Sequence, residues 1–379
     1  MDRYITAAIR ADADTKIILI SGPRGVGKTT LSRGLFLEYD CLNYDDPEDQ
    51  VKLIKRHWRR TVEGVIFDEI HKMEAWKRWL KGIYDTKGLS PKIIVTGSAN
   101  LDVFTNVGDS LAGRYFQYRL HPLDIKEMVA LHGGSPHEML QRLMQFSGFP
   151  EPFLQQSMDF YKKWQRTHLE VILRQDFLDL YAVRSIAKIE LLMELLKTRI
   201  TSPISYTNLA TDLQVSPKSV QGWMTLLENF FVLFKVPPYH RNIARAILKE
   251  PKYYFFDLGR AAEEGARLEN LVACALLKEI HFLQDTKGLN FGLSYLRSKD
   301  GVEIDFLVTL EQQPLIAIEV KTADDTPSKA FAHFKKFIPI PHCIQLVAKI
   351  GRAFDTPDGI QVKDLATFLA TLDLSQYSG

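Results

Sequence analysis

The stretch Lys16-Ile-Ile-Leu-Ile-Ser-Gly22-Pro-Arg-Gly-Val-Gly27-Lys28-Thr29-Thr30 fits G-x-x-x-x-G-K-[ST] and follows an apolar run. An apolar strand that opens into such a loop and then a helix is the setting of a nucleotide phosphate cradle. Glycines 22, 25 and 27 permit dihedrals and a close backbone approach that a Cβ would obstruct, so N–H groups can turn inward on phosphate oxygens. The expected ATP-binding loop is Gly22, Pro23, Arg24, Gly25, Val26, Gly27, Lys28, Thr29 and Thr30. In it Lys28 neutralises β/γ-phosphate charge and the Thr29 hydroxyl ligates Mg²⁺. A helix expected from Thr29 to Tyr39 points its N-terminal dipole at the same anion.

Outward from the loop, Cys41-Leu-Asn-Tyr-Asp-Asp reads as a second strand and Pro47 to Arg60 as a charged helix. Gly64-Val-Ile-Phe-Asp68-Glu69 is then a strand ending in two carboxylates. Asp68 is placed to hold the Mg²⁺ water shell and Glu69 to orient or deprotonate the water that attacks the γ-phosphate. Either acid alone would also read as a helix cap. Lys92-Ile-Ile-Val-Thr96-Gly-Ser98 is a further buried parallel strand with polar residues at its carboxyl end, where ligands of open α/β sheets bind. Thr96 or Ser98 can sense the γ-phosphate there, or cap the next helix. In Ser110-Leu-Ala-Gly113-Arg114-Tyr115, Arg114 is either an arginine that stabilises transferred-phosphoryl charge or an ordinary surface arginine.

At 379 residues the chain is longer than one ordinary core accommodates, which predicts two to four domains. Its 46% hydrophobic and 25% charged content is that of soluble globular proteins. No apolar run approaches the roughly 18 residues of a membrane span, and Met1-Asp-Arg-Tyr lacks a signal-peptide pattern, so the expectation is a cytoplasmic protein without a membrane partner. Cys41, Cys274 and Cys343 are isolated, which argues against a disulfide framework or a zinc cluster. A net charge of +2 means that any nucleic-acid surface must be local.

From about 125 to 185 the pattern turns helical, in Met139-Leu-Gln-Arg-Leu-Met and in Trp164 to Tyr181, and reads as a lid and connector with Arg184 among its solvated basic residues. Residues 190–240 read as a winged-helix unit: a first helix in Ile204 to Leu213, a tight turn at Val215-Ser-Pro, a second helix from Lys218 to Asn229, and an apolar strand at Phe230 to Phe234. Lys218, Ser219 and Gln221 are either DNA contacts or bystanders on a helix that packs between domains. Arg241, Arg245 and Lys249 are better suited by type to a phosphate backbone.

The last 130 or so residues hold a second constellation. Gly265 to Leu277 is an apolar-faced helix carrying Glu269. Leu293 to Arg297, Val302 to Val308 and Leu315 to Lys321 are three strands turning at Lys299-Asp-Gly301 and Gln312-Gln-Pro314. Glu319 and Lys321 leave one sheet face and Asp305, on the adjacent strand, can join them. Hard carboxylate oxygens suit Mg²⁺ or Mn²⁺, so Asp305 and Glu319 are expected metal ligands, Glu269 completes the metal's ligand set or contacts a metal water, and Lys321 stabilises charge or activates water during phosphodiester cleavage. The competing reading of Glu-x-Lys on one strand is an ion pair.

The stretch Gly22 to Thr29, Phe67-Asp-Glu-Ile-His-Lys72, Trp76, Tyr84-Asp85, Thr96-Gly-Ser98, Leu111-Ala-Gly-Arg114, Pro122-Leu and Gly148-Phe-Pro-Glu151 together resemble the prokaryotic AAA+-type ATPases. They resemble in particular the group that carries a C-terminal region of restriction-endonuclease-like fold. The resemblance implies that Arg114 belongs to the nucleotide site and that the subunit works as a homo-oligomer. The set Glu269, Asp305, Glu319 and Lys321 resembles the PD-(D/E)xK nucleases, with Ile304 in place of their proline.

The fold class expected is α/β: a P-loop parallel sheet over 1–125, a helical lid and connector over 126–188, a winged-helix unit over 189–248 and a restriction-endonuclease-like domain over 249–379. The expected function is ATP hydrolysis coupled to action on DNA, with Lys28, Glu69, Arg114, Asp305, Glu319 and Lys321 as catalytic residues. Cofactor contacts extend to Asp68 and Ser98. The alternative is an ATP-driven switch or scaffold for a protein partner, with a catalytically silent nuclease-like fold. A small-molecule kinase fits less well, because the acid pair and the long C-terminal region suit hydrolysis.

Overall fold

The computed structural model describes residues 2–99, 111–176, 186–240 and 250–377. Ser110, Arg184, Arg241, Arg245 and Lys249 lie outside these residues. The chain divides into two compact units, one of residues 1–122, 165–184 and 229–231, the other of 123–164, 185–228 and 232–379. Among the described residues no helix is long and apolar enough to cross a membrane.

The first unit is built on five parallel strands: β1 (Ile17–Ser21), β2 (Tyr39–Asn43), β3 (Gly64–Asp68), β4 (Lys92–Gly97) and β5 (Tyr115–Arg119), in the order β2-β3-β4-β1-β5. Every residue of β1 and β3 is buried, as expected for parallel strands covered on both faces. On one face Leu19, Val65, Phe67 and Val95 pack with Trp58, Trp76 and Leu80, and the Phe67 ring meets the edges of Trp58 and Trp79 at centroid distances of 5.1 Å each. Register sets the working edge: Ser21 lies opposite Gly97, and Asp68 opposite Thr96.

Two helices end earlier and one strand begins later than the sequence pattern suggests. The helix after the loop spans Lys28–Arg33 and stops at Gly34, whose N–H turns back on the carbonyls of Thr30 and Leu31. The next helix, Pro47–Lys55, is capped by the Asp46 carboxylate and closed by Arg56 in a left-handed conformation. Strand β6 (Leu233–Val236) begins only after Phe231, where φ is 53°.

In the second unit β6 pairs antiparallel with β7 (Lys252–Phe255). The larger sheet contains β8 (Phe291–Arg297), β9 (Glu303–Leu310), β10 (Gln313–Lys321), β11 (His342–Val347), β12 (Phe354–Asp355) and β13 (Ile360–Asp364), in the order β12-β13-β11-β10-β9-β8. Strands β8, β9 and β10 are antiparallel neighbours, whereas β11 runs parallel to β10 after the crossover helix Lys329–Lys335. The long helix Glu264–Lys287 precedes β8. The β9–β10 hairpin turns at Glu311 and Gln312, both left-handed, and not at Gln312 to Pro314; this turn matches the twist of its strands and leaves Pro314 inside β10. The helices Tyr206–Leu213 and Pro217–Asn229, joined by a short turn with Ser216 at its end, precede β6.

Candidate functional site

The loop after β1 has the backbone that its glycines permit. Gly25 and Gly27 adopt φ of 76° and 98°, and a Cβ on Gly22 would lie 2.2 Å from the Leu120 carbonyl oxygen. Lys28 is buried and its Nζ donates to the carbonyls of Gly22 and Pro23 at 2.9 Å each, so its ammonium is folded over the hollow of the loop. The Thr29 hydroxyl donates to Asp68 Oδ2 at 2.9 Å and the Thr96 hydroxyl donates to Asp68 Oδ1. Glu69, at φ 54°, gives its N–H to the Thr96 carbonyl and accepts from the Ser98 hydroxyl at 3.0 Å. His71 Nε2 lies 3.7 Å from Glu69 Oε2; burial, then the nearby Lys72 and Lys28 charges, hold its pKa down at about 3, so the ring is neutral near pH 7. The structure thus gathers Gly22 to Thr30 with Asp68, Glu69, Thr96 and Ser98 at the carboxyl ends of β1, β3 and β4.

Arg114 is not in this group. Its carbonyl accepts the N–H of Ile17, at the opposite end of β1 from Gly22, and its guanidinium pairs with Asp85 at 2.8 and 3.4 Å. The family resemblance implies that Arg114 belongs to the nucleotide site, whereas within one chain the parallel register puts it at the opposite end of β1 from the loop.

The second constellation lies in the other unit. Asp305 on β9 and Glu319 on β10 are neighbours: Phe306 pairs with Ile318, and the Val320 N–H donates to Asp305 Oδ2 at 2.9 Å. Lys321 donates to Glu319 Oε1 at 2.7 Å, while Glu319 Oε2, on a side chain 8% exposed, finds no hydrogen-bond partner among the described residues. Burial, then the charge of Asp305, push the Glu319 carboxyl up to about 7.

Glu269 joins this cluster through Lys252. It accepts from the Tyr254 hydroxyl at 2.7 Å and from Lys252 at 3.2 Å. The Lys252 side chain is 1% exposed, and its Nζ also lies 2.6 Å from Glu303 Oε1 and 3.7 Å from Asp305 Oδ1. Burial alone would lower the pKa of that ammonium, but Glu269, Asp305 and Glu303 outweigh it and hold the pKa above its ordinary value. Among the described residues no three His, Cys, Asp or Glu side chains are grouped to hold a metal ion. Glu269 and Asp305 meet at the Lys252 ammonium, and Asp305 meets Glu319 across β9 and β10.

Residues 14–129 match the family model of an AAA domain, AAA_14. Residues 14–129 are an AAA-type P-loop domain. Beyond it, residues 137–264 and 264–366 match two domains of unknown function, DUF8612 and DUF4143. The chain is 22% identical over 302 residues to an uncharacterized protein of Methanocaldococcus jannaschii, covering 74% of this chain and 66% of that one. It is 25% identical over 349 residues to an uncharacterized protein of Haemophilus influenzae, covering 81% and 82%. Among solved structures it is similar to Thermotoga maritima RuvB (TM-score 0.31, 15% identity, 61% of this chain and 86% of that one). It is also similar to a STAND protein of Pyrococcus horikoshii (TM-score 0.24, 15% identity, 74% and 46%).

Two supports of the loop come from outside residues 14–129 and carry no sequence signal. Arg3, buried, donates to the carbonyls of Val26 at 3.0 Å and His121 at 2.7 Å, and His168 Nε2 lies 2.9 Å from the Arg24 carbonyl. Each stands at least 23 residues from its partner, outside any local motif.

Proposed function

We propose that the AAA-type domain binds ATP and hydrolyses it. The observation that carries this reading is the convergence of Thr29 and Thr96 on Asp68 beside a Glu69 held by Ser98, at the mouth of the glycine loop. Bound magnesium supplies phosphate charge neutralisation, and Thr29 and Asp68 are the residues that would hold it. Lys28 exchanges the Gly22 and Pro23 carbonyls for phosphate oxygens, and Glu69 takes or orients the proton of the attacking water. Phosphate release tests this: Lys28→Ala abolishes binding and turnover, and normal hydrolysis by that variant refutes the reading.

Because Arg114 sits at the far end of β1, its action on phosphate requires a second copy of the chain, and we propose a homo-oligomer in which one copy's Arg114 faces the next copy's nucleotide.

For the second unit, the pair of helices before the β6–β7 ribbon supports DNA as partner, with Lys218 and Gln221 exposed on the second helix. Loss of fluorescence anisotropy with labelled duplex DNA on Lys218→Glu and Gln221→Glu supports this; unchanged binding refutes it. The order of helix, three antiparallel strands, crossover helix and parallel strand supports the restriction-endonuclease-like reading. The open oxygens Asp305 Oδ1 and Glu319 Oε2 are the atoms that would hold one divalent ion, which when bound supplies an activated water. Lys321, fixed by Glu319, stands ready to stabilise phosphoryl charge. The switch-like reading, with a silent second unit, is favoured by the capture of Glu269 by Lys252. Divalent-metal cleavage assays on several DNA forms, with Asp305→Ala as control, separate the two.

A further inference from the structure

A trans peptide is planar, with the C=O of one residue and the N–H of the next pointing in opposite directions, so whatever fixes a loop carbonyl also aims the N–H that follows it. The carbonyls of the loop after β1 meet donors from three places. Lys28 Nζ takes those of Gly22 and Pro23 at 2.9 Å each, the His168 ring takes that of Arg24 at 2.9 Å, and Arg3 Nη1 takes that of Val26 at 3.0 Å. A carbonyl only accepts, so His168 carries a proton on Nε2. His168 and Arg3 thus fix the peptides 24–25 and 26–27. Each of these peptides ends at a glycine of positive φ, Gly25 at 76° and Gly27 at 98°. Glycine resists rotation of its flanking peptides less than any other residue, so a carbonyl held from outside the loop is what keeps these two N–H groups directed.

Arg3 is anchored well enough to serve as such a hold. Its own N–H donates to Thr6 Oγ1 at 2.8 Å, its Nη2 donates to the His121 carbonyl at 2.7 Å, and it is buried. The neighbouring Tyr4 hydroxyl donates to the Arg119 carbonyl at 2.7 Å and accepts from the His121 N–H at 3.2 Å, which ties this segment to the exit of β5. Arg3 Nη1 lies 3.9 Å from where a Cβ on Gly27 would stand. Lys28 must leave its two carbonyls when it turns to phosphate. Arg3 and His168 sit on the carbonyl side of their peptides, opposite the N–H groups, and keep their bonds.

We infer that Arg3 and His168 are positioning residues for the nucleotide: Arg3 aims the Gly27 N–H and His168 the Gly25 N–H at phosphate oxygens. Both stand outside residues 14–129, so the AAA-type segment does not set the grip of its own phosphate loop. Neither touches a reacting atom. Loop N–H groups cradle the α- and β-phosphates, which ATP and ADP share and which do not react, so the two residues govern affinity and not the chemical step. This deepens the ATP reading above and rests on it.

The test is binding of fluorescent mant-ATP and mant-ADP, with magnesium, to the full chain, together with phosphate release across a range of ATP concentrations. His168→Phe keeps a ring and removes the donor; Arg3→Met keeps an unbranched stem and removes the fork. Both nucleotides weaken by the same factor, about fivefold or more for His168→Phe and about tenfold or more for Arg3→Met, the worth of a hydrogen bond without and with a charged donor. KM rises in step, one site per chain remains, and kcat at saturating ATP stays within about threefold of wild type. His168→Gln places an amide N–H where Nε2 stands and recovers affinity to within about twofold. Should melts show Arg3→Met unfolded, the two His168 variants decide. Affinity unchanged in His168→Phe, His168→Gln as weak as His168→Phe, or a fall in kcat or site number at unchanged affinity overturns the inference and leaves the ATP reading standing. A wild-type chain that binds neither nucleotide overturns that reading and the inference with it.

Discussion

Substituting Arg114 by Ala separates action within a chain from action between chains. Ile17, which pairs with the Arg114 carbonyl, precedes Gly22 by five residues along β1, which at about 3.3 Å per residue puts Arg114 roughly 16 Å from the loop. A unit charge at that separation contributes about 0.3 kcal/mol in water, and salt screening over a Debye length of about 8 Å lowers it further. Its Asp85 ion pair is partly exposed and is worth about 0–1 kcal/mol of stability. In a dilute, monomeric sample Arg114→Ala therefore leaves ATP turnover within about twofold of wild type, since a tenfold change needs about 1.4 kcal/mol. If copies associate and Arg114 reaches a neighbour's phosphates, wild-type specific activity rises with protein concentration and the variant falls behind by about 10³, the lower range for an arginine on transferred-phosphoryl charge. Phosphate release measured across a concentration series, with light scattering to report association, gives both numbers. A large loss in the monomeric range would refute the reasoning, because the strand register puts this residue at the opposite end of β1 from the loop.

Glu69→Gln keeps nucleotide affinity and loses about 10²–10⁴ in turnover, read by nucleotide fluorescence and phosphate release, because it removes a proton acceptor and no cradle contact. Gly22→Ala forces a Cβ into the Leu120 carbonyl at a φ of 152°, so it costs on the order of 1–3 kcal/mol in thermal melts and weakens nucleotide binding. Lys278→Met strands Glu127 and Asp124, its partners at 2.7 and 3.0 Å, and lowers the stability of the second unit in urea by about 3–5 kcal/mol. The Glu319 carboxyl titrates at about 7 when folded against an ordinary 4.5, so between these values the folded chain binds more protons than the unfolded one. Its contribution to stability is therefore present below pH 4.5 and lost as pH rises to 7. Urea midpoints at the two pH values show this slope, and Glu319→Gln reduces it.

The nucleotide site was legible because its chemistry is contiguous. The loop from Gly22 to Thr30 needs only its own backbone, and Asp68 and Glu69 announce themselves as acids at the end of an apolar strand whose burial is complete. The two helices Tyr206–Leu213 and Pro217–Asn229 and the three strands around Asp305 and Glu319 were readable for the same reason, from periodicity and turn residues. Misplaced ends, such as the helix that stops at Gly34 and the hairpin that turns at Glu311 and Gln312, follow from single residues adopting left-handed or capping conformations that periodicity does not encode.

By itself, then, the sequence determined that a phosphate loop followed by a strand-terminal acid pair exists, since both depend on neighbours a few residues away. Tertiary structure alone decided three things: that Arg114 lies at the opposite end of β1 from the loop, that Arg3 and His168 brace the loop's carbonyls, and that Lys252 bridges Glu269, Glu303 and Asp305. Each depends on which strand lies beside which. In a parallel sheet a residue's end of the strand, and not its distance along the chain, sets what it can touch, and a buried ammonium goes where the carboxylates of several elements meet.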